Sequence, residues 1–174
     1  MPNLAQLPAR DGDAANVIVE TSRGSGFKLK YDEQAGLFLL HRVLAAGLIF
    51  PFDFGFIPST RGEDGDPIDA LLAINLSMPV GTLVKCRLVG VIEASQREQD
   101  GRTVRNDRLL AVPADIPIYD SIRDIGDLDA MLLGQVEAFF VAYNSQLGKA
   151  FEPRGRGDAA AARHKLAGAM VKPA

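Results

Sequence analysis

The octapeptide Gly62-Glu63-Asp64-Gly65-Asp66-Pro67-Ile68-Asp69 runs without a spacer into the apolar segment Ala70-Leu71-Leu72-Ala73-Ile74. Whatever the chain folds into must bury the second while keeping the first at a surface. Three aspartates fall at i, i+2 and i+5, with Glu63 beside them. Gly65 lets the chain turn without a Cβ clash, and Pro67 pushes Asp66 toward an extended conformation. Alternate residues of an extended chain point the same way, so Asp64 and Asp66 share one side, and Asp69 rejoins them if the chain bends after Pro67. Crowded carboxylates resist ionising beside one another, and a hard divalent cation, which prefers oxygen ligands, removes that cost. Asp-Gly beside Asp-Pro is equally the composition of a plain surface turn. An EF-hand fits poorly: with Asp64 as its first position, Asp69 stands where the glycine belongs and Asn75 where the closing glutamate belongs. Carboxylates at the mouth of a buried strand suit a site better than a free turn.

At 174 residues, the length fits a single domain with a substantial core. Hydrophobic residues make up 47% and charged residues 24%, ordinary values for a globular protein. A net charge of −3 and a pI near 5.4 argue against nucleic acid as partner. Cys86 is the only cysteine and lies in an apolar run, so it reads as a small buried side chain. His41 and His164 are too few for a histidine-based metal site. No stretch is long and apolar enough to span a membrane, and no signal-peptide plan opens the chain, so the expected location is cytoplasmic.

Residues 1–15 are polar, with Pro2 and Pro8, and are expected to form a flexible arm before a single domain over 16–174. Val17–Thr21, Phe27–Tyr31 and Leu37–Arg42 read as strands, the last two forming a hairpin with Lys28 and Lys30 on one face. The aromatics of Leu48–Ile57 read as core. Thr82–Glu93 is one bent strand or two, with a bulge at Gly90. A polar loop follows over Ala94–Asn106, and a strand returns over Asp107–Pro113. Five or more short strands joined by hairpin turns suggest a small antiparallel barrel. From Leu128 to Leu147 the apolar period becomes helical, with Asp127 as N-cap and Gly148 as the stop. A second helix runs from Asp158 to about Met170. The fold class is therefore α+β, a five-stranded OB-like antiparallel barrel with two C-terminal helices packed on it.

The acidic loop Asp64-Gly65-Asp66-Pro67-Ile68-Asp69 resembles the signature of the soluble family I inorganic pyrophosphatases at every defined position. Val17–Glu20, Phe27-Lys28, His41-Arg42, Pro51–Ile57, Cys86–Val91, Leu110–Pro113, Tyr119–Leu128 and Phe139–Tyr143 follow in matching order, over roughly residues 16–170. The resemblance implies Mg²⁺-dependent hydrolysis of pyrophosphate, with Mn²⁺ as an alternative ion. It implies Asp64, Asp66 and Asp69 as metal ligands, Asp66 as the base for the attacking water, and Glu20 at outer metal positions. Lys28, Arg42 and Tyr143 would hold phosphate, with Arg108 in place of a family lysine. It also implies a homo-oligomer, a hexamer in bacterial relatives.

The loop from Ala94 to Arg108 departs from the family pattern. Gln96 and Asn106 stand where aspartates are expected; the uncharged carbonyl of Asn106 can still ligate Mg²⁺, and Asp107, Asp100 or Glu98 can substitute if the loop folds differently. Phe54 replaces a phosphate-binding tyrosine, and losing one hydrogen bond to a charged group costs about 1.5–3 kcal/mol. Lys30 matches a glutamate. A second reading follows from these changes: a weak or inactive relative that binds metal–phosphate or nucleotide ligands.

Overall fold

The computed structural model describes residues 3–171. In chain order the elements are β1 (Arg10–Asp11), β2 (Ala14–Thr21), β3 (Phe27–Asp32), β4 (Leu37–Val43), β5 (Asp53–Ile57), β6 (Ile68–Leu72), β7 (Leu83–Arg97), β8 (Thr103–Arg105), β9 (Arg108–Pro113), α1 (Ala130–Ser145), β10 (Ala150–Gly157) and α2 (Ala159–Ala169). Strands β2, β5, β6, β9 and β7 pair in that order, and β7 pairs back onto β2, which closes a five-stranded ring. Four of the five pairings are antiparallel. The expectation of a wholly antiparallel barrel fails at β6 and β9, which run parallel with Ala70 opposite Leu109 and Leu72 opposite Ala111. The long β7 supplies the crossover that a parallel pair requires.

The ring is apolar because its strands are. β5 and β9 are buried at every position and β2 at all but its first. Burial on both sides of β2 and β5 needs an outer cover. The β3–β4 hairpin and the N-terminal segment provide it by packing Tyr31, Phe38, Leu4 and Leu7 around Ile18 and Phe56. Residues 3–13 thus depart from the expected flexible arm. Leu4–Gln6 form a 3-10 turn capped by Asn3, Leu4 N–H donates to the Tyr31 hydroxyl at 3.1 Å, and β1 pairs with β2. Leu4, Leu7 and Ala9 supply the apolar contacts that hold it there. Residues 1 and 2 lie outside the described range.

The 15-residue β7 serves two pairings by bending at Gly90, where its register against β9 shifts. A Cβ on Gly90 would lie 2.7 Å from the Cβ of Ile125, so the bend leaves room for hydrogen alone. Beyond it, β7 pairs with β8 and with β10. The expected polar loop over 94–106 therefore shrinks to a tip at Glu98–Arg102, because Ser95, Gln96 and Arg97 pair with Arg105, Val104 and Thr103. β10 had no sequence signal. Its Pro, Gly and Arg content reads as loop, and it persists as an edge strand with a register shift at Pro153.

Helix α1 is capped by Asp129, two residues after the expected Asp127. Asp129 accepts from Met131 N–H at 2.8 Å, while Asp127 closes a capping box with Asp124 around the preceding 3-10 turn. Gly148, at φ +64°, follows the helix as expected. The buried face of α1 packs Phe139, Phe140 and Tyr143 against Phe50 and Phe54, with ring centroids 5.0–6.2 Å apart. Asp158 caps α2 by accepting from Ala161 N–H at 2.7 Å. Cys86 is buried, and burial pushes its thiol pKa far up.

Gly55 is where two backbones come closest. A Cβ there would collide with the Ile18 carbonyl oxygen and lie 2.9 Å from its carbonyl carbon. Gly55→Ala is expected to lose about 3 kcal/mol or more of stability, since the obstacle is β2 backbone that cannot turn aside. A urea unfolding curve with an unchanged midpoint would contradict this account of the β2–β5 contact.

Candidate active site

A cavity of about 290 Å³ opens at one end of the barrel, with an acidic and a basic wall. The acidic wall is the loop before β6. Thr60 ties its ends together, its hydroxyl donating to Ile57 O and accepting from Ile68 N–H at 2.9 Å. Within the loop Gly62 N–H donates to Asp66 O at 2.8 Å, Asp66 N–H donates to Asp64 Oδ1 at 3.1 Å, and Gly65 turns the chain at φ +89°. Asp64, Asp66 and Asp69 all line the cavity. Burial and the neighbouring Asp69 carboxylate push the Asp64 pKa up.

The basic wall comes from the hairpin and β9. Lys28 lies directly opposite Arg42 in the β3–β4 register. Like charges facing each other across a strand pair are destabilising, so this pairing is suited to an anion between them. Lys28 Nζ sits 4.6 Å from the centre of the Phe54 ring, and the Arg42 guanidinium lies 6.0 Å from that of Tyr143. Arg42 Nε is buried without a hydrogen-bond partner, a donor left for a ligand. His41 also lines the cavity, and burial with Lys28 and Arg42 nearby pulls its pKa down.

Arg108 joins the two walls. It is 5% exposed and reaches Asp69 Oδ2 at 2.7 Å. Its guanidinium lies over Phe140, Phe151 and Phe54, at 4.9, 5.4 and 5.9 Å from their ring centres. It donates to the backbone and side-chain oxygens of Asn106. Asn106 Nδ2 donates to Gln96 Oε1 at 2.9 Å, Gln96 Nε2 to Glu98 at 2.5 Å, and Lys149 pairs with Glu98 at 2.5 Å. The loop that departs from the family pattern is thus a continuous polar chain from Asp69 to Lys149. Lys149 escaped sequence reasoning because it merely follows a helix stop. Lys30 also lines the cavity, 2.8 Å from Asp66.

Two expected metal ligands lie apart from the cavity. Asp107 faces the other side of β9, where it accepts from Ala94 N–H at 2.9 Å and pairs with Lys165 at 2.8 Å. In the two-residue link between β8 and β9, Asn106 lines the cavity, as does Arg108 at the start of β9, while Asp107 turns away. Glu20 occupies a small adjoining recess shared with Lys28, Lys30, Asp66 and Asp69. Its Oε1 accepts from Tyr31 N–H at 2.6 Å, and burial raises its pKa to about 7 against the pull of Lys28.

Among the described residues no three Asp, Glu, His or Cys side chains converge on one point, since Asp66 is drawn to Lys30 and Asp69 to Arg108. The donor chemistry nevertheless fits a hard divalent cation. Asp64 has carboxylate neighbours that hold its pKa up, and the exposed Lys30–Asp66 pair is of a kind worth about 0–1 kcal/mol, so Asp66 turns at little cost.

Clustered carboxylates facing fixed cations on an OB-like barrel define a protein that handles a small polyanion together with a hard cation. The sequence comparisons agree. A family model described as inorganic pyrophosphatase matches residues 17–172. Inorganic pyrophosphatases of Corynebacterium efficiens and Helicobacter pylori are 39% and 36% identical, over 91% and 81% of this chain and 98% and 80% of theirs. The crystal structure of the Thermus thermophilus inorganic pyrophosphatase superposes with a TM-score of 0.87 at 32% identity, covering 97% of each chain. The chain belongs to the inorganic pyrophosphatase family.

Glu20 gives the metal-free protein a pH signature. A carboxyl whose folded-state pKa lies above its ordinary value of 4.5 keeps its proton preferentially when folded. Its stabilising effect is whole below pH 4.5 and is lost as pH rises to about 7. In chelator, Glu20→Gln is expected to flatten the fall of melting temperature across that interval. An unaltered slope would show that Glu20 ionises freely in the fold.

Proposed function

We propose that this chain hydrolyses inorganic pyrophosphate to two phosphates with a divalent metal, Mg²⁺ or alternatively Mn²⁺. The observation that carries the reading is the opposition of the Asp64, Asp66 and Asp69 wall to Lys28 and Arg42 across one small polar cavity, with Arg108 paired to Asp69 between them. Pyrophosphate is compact and has no apolar handle, so its site must be built from charge.

Asp64 and Asp69, with Asp66, would hold the metal, and Glu20 stands beside them in the adjoining recess. Bound there, the ion supplies a Lewis acid for phosphoryl oxygen and lowers the pKa of water. Lys28 and Arg42 grip the phosphoryl oxygens from the hairpin, and Tyr143 does so from α1, its ring stacked on Phe139 at 5.9 Å. Asp66 takes the proton as water oxygen bonds to phosphorus and the bridging P–O bond breaks. The negative charge left on the departing phosphate is met by the same cations. Asn106 is not among the proposed ligands, because its side-chain oxygen already serves Arg108.

Self-association belongs to the same proposal, supported by the exposed apolar Leu37, Leu39, Leu40 and Val43 of β4. Light scattering on the eluting protein should give a mass several times that of one 18.7 kDa chain. A monomer would remove this part alone.

Phosphate release from pyrophosphate should occur with Mg²⁺ or Mn²⁺ and vanish in chelator. Asp66→Asn should lower it by at least about 100-fold, the usual contribution of a positioned base. Release by wild type no greater than by the variant, with either metal, would overturn the assignment.

A further inference from the structure

We infer that Lys30 and Arg108 are resident cations of the carboxylate wall, each neutralising one aspartate, so that the free protein holds a single tight divalent ion. The inference rests on the reading of that wall as a metal site.

Lys30 Nζ is 2.8 Å from Asp66 Oδ2, and Arg108 Nη1 is 2.7 Å from Asp69 Oδ2. Asp64 makes no ion pair among the described residues, and its Oδ1 meets only the Asp66 N–H. The loop of Gln96, Glu98 and Asn106 adds no free carboxylate to these aspartates. Gln96 and Asn106 are neutral amides bonded to each other, and the carboxylate of Glu98 is spent on Lys149 and Gln96. Glu63 turns one oxygen to Arg105 N–H at 2.8 Å and Glu20 one to Tyr31 N–H at 2.6 Å, and among the described residues neither converges with two aspartates on one point. One ion on Asp64 and the oxygens left free by its two neighbours is what the wall can neutralise.

The two cations differ in kind. The Lys30 side chain is 42% exposed, so water solvates it when it swings away, and the ion competes with it for Asp66. The Arg108 side chain is 6% exposed and is held by three aromatic rings and Asn106, so it stays on Asp69. Lys30 is therefore a displaceable competitor of the metal, and Arg108 a permanent substitute for a second one.

Mn²⁺ titration of the free protein at fixed pH, without pyrophosphate, reads this directly through the electron paramagnetic resonance of unbound Mn²⁺. Wild type is expected to bind one tight ion per chain. Lys30→Gln should bind the same number about fivefold more tightly, the size of an exposed competing pair. Arg108→Gln should admit a second ion, and its melting curve is read first. If that variant does not fold, Lys30→Gln decides. Two or more tight ions on wild type, or an unchanged affinity in Lys30→Gln, would overturn the inference and leave the proposed hydrolysis standing. No Mn²⁺ bound by any variant would remove the metal site on which both depend.

Discussion

The Arg108–Asp69 pair holds the site in its shape. Asp69 belongs to β6 and Arg108 to β9, the only parallel neighbours in the ring, and the pair bridges them at the cavity. The guanidinium rests on Phe54 of β5, Phe140 of α1 and Phe151 of β10. One buried cation thereby touches four strands and a helix. Breaking a buried pair by removing one partner typically costs about 3–5 kcal/mol, because the charge left behind cannot be solvated. The aromatic cluster that anchors the helix to the barrel is thus also the seat of the charge that organises the acidic loop.

The remaining electrostatics follow from that seat. With Asp69 paired to Arg108 and Asp66 to Lys30, the crowding of the acidic loop is left on Asp64, whose pKa burial and the Asp69 carboxylate push up. The hairpin then brings Lys28 and Arg42 to the opposite side as an uncompensated pair of like charges. Such an arrangement costs free energy until an anion enters it, which is how a preformed phosphate site differs from a solvated charged surface.

Much of this was legible in the sequence, and what was not has identifiable causes. β2, β3, β4 and β9 announce themselves through β-branched or aromatic residues and turn punctuation, and the acidic loop through its spacing, whereas the residues of β5 read only as aromatic core. β10 hides because Glu152-Pro153-Arg154-Gly155 carries no strand propensity, and β7 alone imposes its conformation. The N-terminal segment looks flexible because its apolar residues, Leu4, Leu7 and Ala9, are few and unpatterned. Their binding surface, Ile18 with Tyr31 and Phe56, exists only after β2, β3 and β5 have assembled. Asp129 and Asp127 are equivalent helix starts by composition, and what decides between them is the 3-10 turn over Ile125–Asp127, which uses Asp127 in its own capping box. The inward direction of Asn106 and the outward direction of Asp107 are set by the short link between β8 and β9, which the sequence reads as part of a polar loop and a returning strand. Lys149 is invisible without the tertiary fold.

Insertion of β9 between β6 and β7, which completes the ring, also governs when the site can exist. The cavity draws on Lys28 near one end of the chain and Lys149 near the other, and its central cation needs Phe151 beneath it. A ribosome that has released only the first hundred residues has made the acidic loop and the hairpin, but not β9, α1 or β10. The growing chain therefore carries Asp69 without Arg108, its buried counter-charge, and the barrel seals late, through contacts between residues far apart in sequence. Phosphate affinity arrives with the last strand rather than accumulating along the way.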